Sequence, residues 1–237
     1  MAKITILVIH VKGNKEREAY IQKQLEKLDM PYHFILDGNV EDLTGEILDK
    51  YFSGDMYGQY PRTSCAYKHL LAMQYMIEHR LESALIVEDD LRFYHNFKDF
   101  FEKSVEECSS KYADMPFIAN FEESSLLFVP RSQRRKGIVL YPAQRDRYAG
   151  CYYINRLAAQ AILEYVTSKH SDTTSDLLHT RLLNEGKLHY FWSHPCLACQ
   201  CSCDGSMPTM IPTRPRPLKR LKWFYKRFYK RLLYFLR

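Results

Sequence analysis

Hydrophobic residues form short continuous runs that alternate with amphipathic segments through the first hundred residues. The runs at 3–11, 32–36 and 83–87 are rich in Val, Ile and Leu, which is typical of strands buried on both faces of a sheet. Between them, residues 15–28 and 65–80 place apolar side chains three and four positions apart, as helices do. This alternation predicts an α/β fold with a mainly parallel, Rossmann-like sheet, whose ligands bind at the carboxyl ends of the strands.

The second half of the chain has shorter elements. Its pattern predicts helices over 97–108, 156–166 and 172–184, and strands over 117–121, 126–129, 138–141, 152–154 and 189–192. With 237 residues and 46% hydrophobic content, the chain can bury one substantial core. We therefore expect a single domain over 1–207.

Positive charge is concentrated at the carboxyl end. Residues 214–237 hold ten of the 34 Lys and Arg residues and none of the 28 Asp and Glu residues. Four prolines predict a stiff linker over 208–217 that detaches the tail. Over 218–237, Leu and aromatic residues recur at spacings of three and four among Lys and Arg, which predicts a basic amphipathic helix on an anionic membrane surface. Docking on the body or a partner and nucleic-acid binding are the alternatives, and the membrane is favoured over both.

The amino end and the cysteines bear on the compartment. The first apolar run is too short for a membrane span and has no signal-peptide cleavage pattern, so we expect a cytoplasmic protein, peripheral on the cytoplasmic membrane face. Seven cysteines cannot all pair within the chain, and most are expected to be free thiols. The four at 196, 199, 201 and 203 leave two readings open, a soft-metal site or free thiols in a strand.

Three consecutive carboxylates, Glu88, Asp89 and Asp90, follow the apolar run 83–87 directly. Adjacent carboxylates repel one another and are costly to desolvate, so they need a compensating cation or full exposure to water. Carboxylate oxygens suit Mg²⁺ or Mn²⁺, which often complete their shell with water and nucleotide phosphates. In extended backbone Glu88 and Asp90 would point the same way. A metal site and a solvated acidic turn both fit these residues.

Several separate segments resemble one known family in the same order along the chain. They are Ile9-His10-Val11-Lys12 with Arg17, Asp37-Gly38, Cys65 with His69, Leu85-Ile86-Val87-Glu88-Asp89-Asp90-Leu91, Gly150-Cys151-Tyr152-Tyr153-Ile154, and Asp176. Over roughly residues 3–206 the chain is similar to glycosyltransferase family 25, which includes bacterial lipooligosaccharide galactosyltransferases and collagen galactosyltransferases. Ser64, Lys68 and Thr174-Ser175 depart from the family's motifs.

The resemblance implies a GT-A-like fold, a UDP-sugar donor, usually UDP-galactose, and inversion at the anomeric carbon. It implies that Asp90 and Glu88 bind Mn²⁺ or Mg²⁺ at the donor diphosphate, while Glu88 or Asp89 holds the ribose or a metal-bound water. The donor-binding residues it indicates are Val11, Lys12, Arg17, Asp37, Gly38, His69 and Asp89. A core histidine remains the alternative for His69, and surface solvation for Lys12 and Arg17.

Glycosyl transfer also needs a base for the acceptor hydroxyl. Asp176 is the favoured residue, with Glu122 and Glu123 as rivals, and a helix-dipole partner is the alternative role of Asp176. We therefore expect an inverting glycosyltransferase that moves a hexose, most often galactose, onto lipooligosaccharide or a lipid-linked oligosaccharide. A metal-dependent phosphoesterase and a non-enzymatic, basic-tailed adaptor for membrane or nucleic acid are the alternatives. The oligomeric state is not predicted.

Overall fold

A computed structural model describes residues 4–124, 126–211 and 218–236. The strands are β1 Thr5–Ile9, β2 Tyr32–Ile35, β3 Ser83–Glu88, β4 Leu91–Phe93, β5 Phe117–Asn120, β6 Leu140–Pro142, β7 Cys151–Asn155, β8 His189–Ser193 and β9 Ala198–Gln200. The helices are α1 Lys15–Leu25, α2 Gly45–Tyr51, α3 Pro61–Glu78, α4 Phe97–Lys111, α5 Arg156–Lys169, α6 Ser175–Asn184, α7 Cys201–Asp204 and α8 Lys219–Leu236. Short 3-10 turns occupy Val40–Asp42, Gly54–Met56 and Arg131–Gln133.

The central sheet is mixed. Seven strands lie in the order β2-β1-β3-β7-β5-β8-β6, and β2, β1 and β3 run parallel to one another. Strand β7 is antiparallel to both of its neighbours, β5 and β8 are parallel, and β6 is an antiparallel edge strand. The predicted α/β class is confirmed. The expected parallel arrangement describes the first three strands, and the chain reverses direction at β7.

Each central strand buries side chains on both faces, which explains the continuous apolar runs. In β3, Ala84 and Ile86 pack under α3 and α5, while Leu85 and Val87 face α1 and α4. All four side chains are fully buried. A strand that is covered on both faces has an almost continuous hydrophobic sequence. Polar residues therefore first appear where such a strand ends.

Some local predictions differ from the structure. No strand forms over 126–129, where the Ser124 hydroxyl accepts the Leu127 N–H and the Val129 carbonyl accepts from the Arg134 side chain instead of a neighbouring strand. Helix α3 begins at Pro61, before the predicted start at 65, because proline suits the first helical position. The short elements α2, β4 and α7 were not predicted, whereas β9 lies in the cysteine run for which a strand was one alternative.

The cysteine run 196–203 forms β9 and α7, and its thiols face different partners. Cys201 Sγ lies 3.1 Å from the Tyr20 hydroxyl, and Cys196 Sγ accepts from Arg147. All seven cysteines are free thiols. Within the residues the structure describes, these four do not come together as metal ligands, which favours the free-thiol reading.

Helix α8 packs on the body. Trp223 and Lys230 are buried, and Lys230 Nζ donates a 2.9 Å hydrogen bond to Glu123 Oε1. The expected detachment of the tail is therefore wrong for the described part of the helix, because a buried ammonium needs its counter-charge nearby. Residues 212–217 of the predicted linker lie outside the described residues.

Candidate active site

A cavity of about 360 Å³ opens at the carboxyl ends of β1 and β3. Its walls come from these strand ends, the first turn of α1, the first half of α3, the start of α6 and residues 209–211. Ligand pockets commonly measure about 300–1,000 Å³, so its size suits a small molecule. The cavity lies where two parallel strands end side by side, which is the position that the sequence predicted for a ligand.

Asp89 anchors two basic side chains at this edge of the sheet. Its Oδ2 lies 2.9 Å from His10 Nδ1, and its Oδ1 accepts a 2.6 Å hydrogen bond from Arg17 Nη1. Asn14 caps α1 by accepting the backbone N–H of Arg17, which fixes the turn that carries the guanidinium. Asp89 therefore balances the charge of Arg17 and holds it at the cavity wall.

Asp90 is buried and only partly satisfied. Its Oδ2 accepts the Ser202 N–H at 3.1 Å, whereas Oδ1 has no hydrogen-bond partner among the described residues. Burial, followed by repulsion from Glu88, raises the pKa of Asp90 to about 6, although the Ser202 N–H and Arg17 oppose the shift. A cation at Oδ1 would supply both a partner and a counter-charge.

Glu88 faces helix α3. Its Oε2 accepts a 2.6 Å hydrogen bond from Gln200 Nε2, and its Oε1 lies 3.6 Å from His69 Nε2 and 4.0 Å from Cys65 Sγ. Glu88 and Asp90 both line the cavity, as their expected alignment requires, although β3 itself ends at Glu88.

Gly150 brings Gln200 close to Glu88. A Cβ atom at position 150 would lie 2.7 Å from the Gln200 side chain and 2.7 Å from Glu122 Oε2. The Gly150 N–H also donates to Glu122 Oε2 at 2.8 Å. Only glycine permits this close approach, which explains the residue in the Gly150-Cys151-Tyr152 segment.

Asp176 lines the same cavity from the first turn of α6. It is half-buried, and its Oδ1 accepts a 2.5 Å hydrogen bond from the Thr174 hydroxyl. The rival acids, Glu122 and Glu123, are both buried and are not among the residues that line the cavity. Of the three candidate bases, the structure thus brings only Asp176 to the cavity.

Most of the predicted site residues line the cavity. They are Val11, Arg17, His69, Glu88, Asp89, Asp90 and Asp176. The other three predicted residues do not line the cavity, but each is hydrogen-bonded to a residue that does. The backbone N–H of Lys12 donates to Asn39, the Asp37 carbonyl accepts from Lys68, and the Gly38 carbonyl accepts from Ser64.

Cys65, Lys68 and Gln200 were not among the predicted site residues, although all three line the cavity. Burial lowers the pKa of Lys68 to about 8, against the opposing charges of Asp42 and Asp37. Cys65 precedes His69 by four residues, a spacing that places both on one face of a helix and so carried a usable signal. Gln200 resembles a residue near the carboxyl end of the family's pattern, but its contact with Glu88 was not predictable, because it joins residues far apart in sequence.

The α/β scaffold holds an acid-lined cavity of small-molecule size at its strand ends, and a family model assigns the class of protein. The model described as glycosyltransferase family 25 (LPS biosynthesis protein) matches residues 3–178, and the chain belongs to this family. No curated protein matched the chain.

Three solved structures are similar to the chain at low identity. A putative glucose-1-phosphate thymidylyltransferase from Bacillus anthracis, in complex with a sucrose, has 12% identity over 82% of this chain and 70% of its own, with a TM-score of 0.40. A glycosyltransferase involved in glycosylation of the major capsid of PBCV-1 has 10% identity over 83% and 93%, with a TM-score of 0.44. Mouse xyloside xylosyltransferase 1, in its apo form, has 14% identity over 79% and 83%, with a TM-score of 0.45.

Proposed function

We propose that this enzyme transfers a hexose, with galactose favoured, from a UDP-sugar to lipooligosaccharide or a lipid-linked oligosaccharide, with inversion on a GT-A-type scaffold. The observation that supports the proposal is the convergence of Glu88, Asp90 and Asp176 on one cavity beside Arg17. An acidic centre suits a divalent cation and a diphosphate, and a further acid in the same cavity suits deprotonation of an acceptor.

The residues present fit a hard divalent cation. Asp90 offers a buried Oδ1 that no described residue contacts by a hydrogen bond, and Glu88 lies two positions earlier in the sequence, at the end of β3. Asp90 and Glu88 would hold Mn²⁺ or Mg²⁺, with water and donor phosphates completing the shell. When bound, the ion would neutralise charge that develops on the departing diphosphate.

The chain's own cations and turns would hold the donor. Arg17 would pair with the diphosphate, because Asp89 orients its guanidinium at the wall and the planar group suits anions. Val11 and His69 would contact the nucleotide or the sugar from the same cavity. Lys12, Asp37 and Gly38 would act by shaping the wall behind Asn39, Lys68 and Ser64.

Asp176 would act as the base. In a single displacement, the acceptor oxygen bonds to the anomeric carbon as the bond from that carbon to the diphosphate oxygen breaks, and UDP leaves. The acceptor proton passes to an Asp176 carboxylate oxygen. Such a positioned base commonly contributes about 10²–10⁴-fold to a rate.

A donor panel tests the proposal. Purified full-length protein is incubated with UDP-galactose, UDP-glucose and UDP-N-acetylglucosamine in Mn²⁺, with and without a lipooligosaccharide acceptor, and free UDP and glycosylated product are measured. We expect UDP release from one donor, with product formed only when the acceptor is present. Absence of UDP release from every donor would overturn the proposal, and release of inorganic phosphate from phosphate esters would favour the phosphoesterase alternative.

We also propose that α8 holds the enzyme on an anionic membrane. Trp223 and Lys230 face the body, whereas several large apolar side chains between residues 218 and 232 are exposed to solvent. Those at least 46% exposed are Leu218, Leu221, Phe224, Tyr225, Phe228, Tyr229 and Leu232. Lysines and arginines lie among them, and each can add about 1 kcal/mol at an anionic surface. No helix in the described part of the chain is long and apolar enough to cross a membrane.

Vesicle flotation tests the membrane proposal. We expect the full-length protein to float with phosphatidylglycerol vesicles at low salt, and less with phosphatidylcholine vesicles. A Phe224→Ser, Phe228→Ser double variant should lose at least about tenfold in partitioning. The reason is that burying each exposed ring in the membrane would contribute about 1.5–3 kcal/mol to the free energy of binding. Leu157→Ser, at an exposed position of α5, is the matched control. Equal flotation of the double variant and the control would contradict the proposal.

A further inference from the structure

Helix α3 and strand β3 bring a thiol, an imidazole and a carboxylate together in the cavity. Within the described residues, Cys65, His69 and Glu88 are the one group of three such side chains whose ligand atoms all lie within 4.8 Å of one another. Cys65 and His69 occupy one face of α3 because they are four residues apart. Glu88 meets them from the end of β3.

The imidazole of His69 is oriented for a further ligand. Its Nδ1 lies 3.0 Å from the Tyr152 hydroxyl, and Tyr152 is fully buried. His69 is 1% exposed, and its Nε2 has no hydrogen-bond partner among the described residues, although it points toward Glu88 Oε1 at 3.6 Å. A buried ring nitrogen without a partner is costly, so a ligand at Nε2 would stabilise this arrangement.

The carboxylate of Glu88 is oriented in the same way. Its Oε2 accepts the 2.6 Å hydrogen bond from Gln200, which leaves Oε1 directed at His69 and Cys65. Metal-binding histidines and carboxylates characteristically have such outer partners, which set the ring and carboxylate orientation. Tyr152 and Gln200 thus occupy the positions of a supporting shell.

We propose that Cys65, His69 and Glu88 form a binding site for a borderline divalent cation, Zn²⁺ above all. Thiolate and imidazole ligands select zinc over Mg²⁺ or Mn²⁺, so this site differs in metal class from the proposed carboxylate site at Asp90, with which it shares Glu88. Bonds of about 2.3 Å to sulfur and 2.0 Å to nitrogen or oxygen give tetrahedral ligand separations of about 3.3–3.6 Å. Glu88 Oε1 lies 3.6 Å from His69 Nε2 and 4.0 Å from Cys65 Sγ, and all three ligand atoms lie within 4.8 Å of one another, so the three side chains must draw together to seat the ion.

Three protein ligands leave a fourth position free. Cys65 and Glu88 are half-buried and all three side chains line the cavity, so the fourth position faces the cavity. An open fourth position is the arrangement of zinc sites that bind water or substrate, whereas structural zinc sites fill all four positions. The proposal depends on the geometry of these three side chains and does not require that the enzyme transfer a sugar.

Cobalt substitution tests the site directly. Reduced full-length protein is titrated with Co²⁺, and the thiolate-to-cobalt charge-transfer band and the visible tetrahedral bands are recorded, followed by displacement with Zn²⁺. We expect both sets of bands to saturate at one Co²⁺ per chain, since a cation bound at Asp90 has no thiolate ligand and adds no charge-transfer band. Cys65→Ser should lose the charge-transfer band, and His69→Gln should weaken Zn²⁺ binding at least about tenfold. Tyr152→Phe should weaken it by about 10-fold or more, as changes in a supporting shell do.

Two controls separate this site from its neighbours. Cys196→Ser removes a half-buried thiol from the 196–203 run and should keep the band, and Asp90→Asn should keep it as well. Far-ultraviolet circular dichroism confirms that each variant is folded. Absence of Co²⁺ binding, a band that persists in folded Cys65→Ser, or a band lost in Cys196→Ser would each overturn the proposal. Loss of sugar transfer with the band intact would count against the proposed function alone.

Discussion

Glu88-Asp89-Asp90 begins at the last residue of β3 and Glu122-Glu123 comes shortly after β5, so both acidic segments stand where a buried strand ends. The first segment lines the cavity, and an arginine, a histidine and a glutamine contact it. The second lies outside the cavity lining, and both of its side chains are buried. The same sequence pattern thus leads to a candidate site in one place and to a packed interior in the other.

The neighbours of the two strands explain the difference. Strand β3 ends beside the parallel strand β1, which leaves a crevice between the strand ends. Beyond β5, the Phe121 carbonyl accepts the N–H groups of Leu197 and Ala198, and the Ala198 carbonyl accepts the Glu123 N–H. The returning chain covers this end, so an acid at a strand end indicates a site only when the strands beside it leave space.

The largest effect should come from Asp90→Asn. The variant keeps the side-chain size but removes the charge that would hold the cation, so sugar transfer should fall by about 10³-fold, which corresponds to several kcal/mol of lost charge stabilisation. Steady-state UDP release at saturating donor measures it. Asp114→Asn, at an exposed turn after α4, is the matched control and should keep full activity. If both variants are equally active, Asp90 has no part in the reaction.

Asp176→Asn should lower kcat by about 10²-fold, because it removes the proposed base and leaves the donor-binding side chains in place. The KM for the UDP-sugar should change little. Kinetics at varied donor and acceptor concentrations separate the two parameters. A raised donor KM with an unchanged kcat would instead assign Asp176 to donor binding.

Local sequence was sufficient for the elements around the cavity. The apolar runs at β1, β2 and β3 predicted buried strands, and the acids after β3 predicted the edge of the sheet that holds the cavity. Contacts between distant residues were not predictable, because no local period encodes them. The reversal at β7, the contact of Gln200 with Glu88 and the pairing of Lys230 with Glu123 each depend on the folded chain.

Glu123→Gln should weaken the docking of α8. The Glu123 carboxylate accepts from Lys230 Nζ and the Tyr94 hydroxyl and lies 3.5 Å from Arg227, so neutralising it leaves the buried Lys230 ammonium with the Ser124 carbonyl but without its counter-charge. We expect a loss of about 2 kcal/mol, since hydrogen bonds to charged groups contribute about 1.5–3 kcal/mol. Faster tryptic cleavage within residues 219–231 would report it.

Glu106→Gln, at an exposed position of α4, is the matched control for that measurement. The effect should also depend on pH. Burial alone would raise the pKa of Glu123, but Lys230, the Tyr94 hydroxyl and Arg227 outweigh it and the pKa is lowered from about 4.5. The stabilisation that Glu123 gains from its positive partners is therefore complete at pH values above the ordinary pKa of 4.5. It is lost as the pH falls through the lowered pKa of the folded protein. An equal difference between wild type and Glu123→Gln at every pH would contradict the ion pair.

Glu122→Gln should have the smallest effect and the opposite pH dependence. Burial, then repulsion from Glu88 and Asp90, raises the pKa of Glu122 well above its ordinary value of 4.5. The folded state retains a proton that the unfolded state releases, so the free energy of unfolding of the wild type falls as pH rises above 4.5. Glutamine does not titrate, so the variant does not show this fall.

The measurement is urea unfolding of wild type and Glu122→Gln at acidic and neutral pH. At acidic pH we expect the free energies of unfolding to agree within about 0.5 kcal/mol, because the variant is close to the protonated acid in shape. Toward neutral pH the variant should gain stability relative to wild type, whereas Glu123→Gln should lose it. If Glu122→Gln also lost stability as pH rises, Glu122 would be ionised in the folded protein. Both acidic segments would then be ionised in the folded protein, and only the cavity beside the end of β3 would distinguish them.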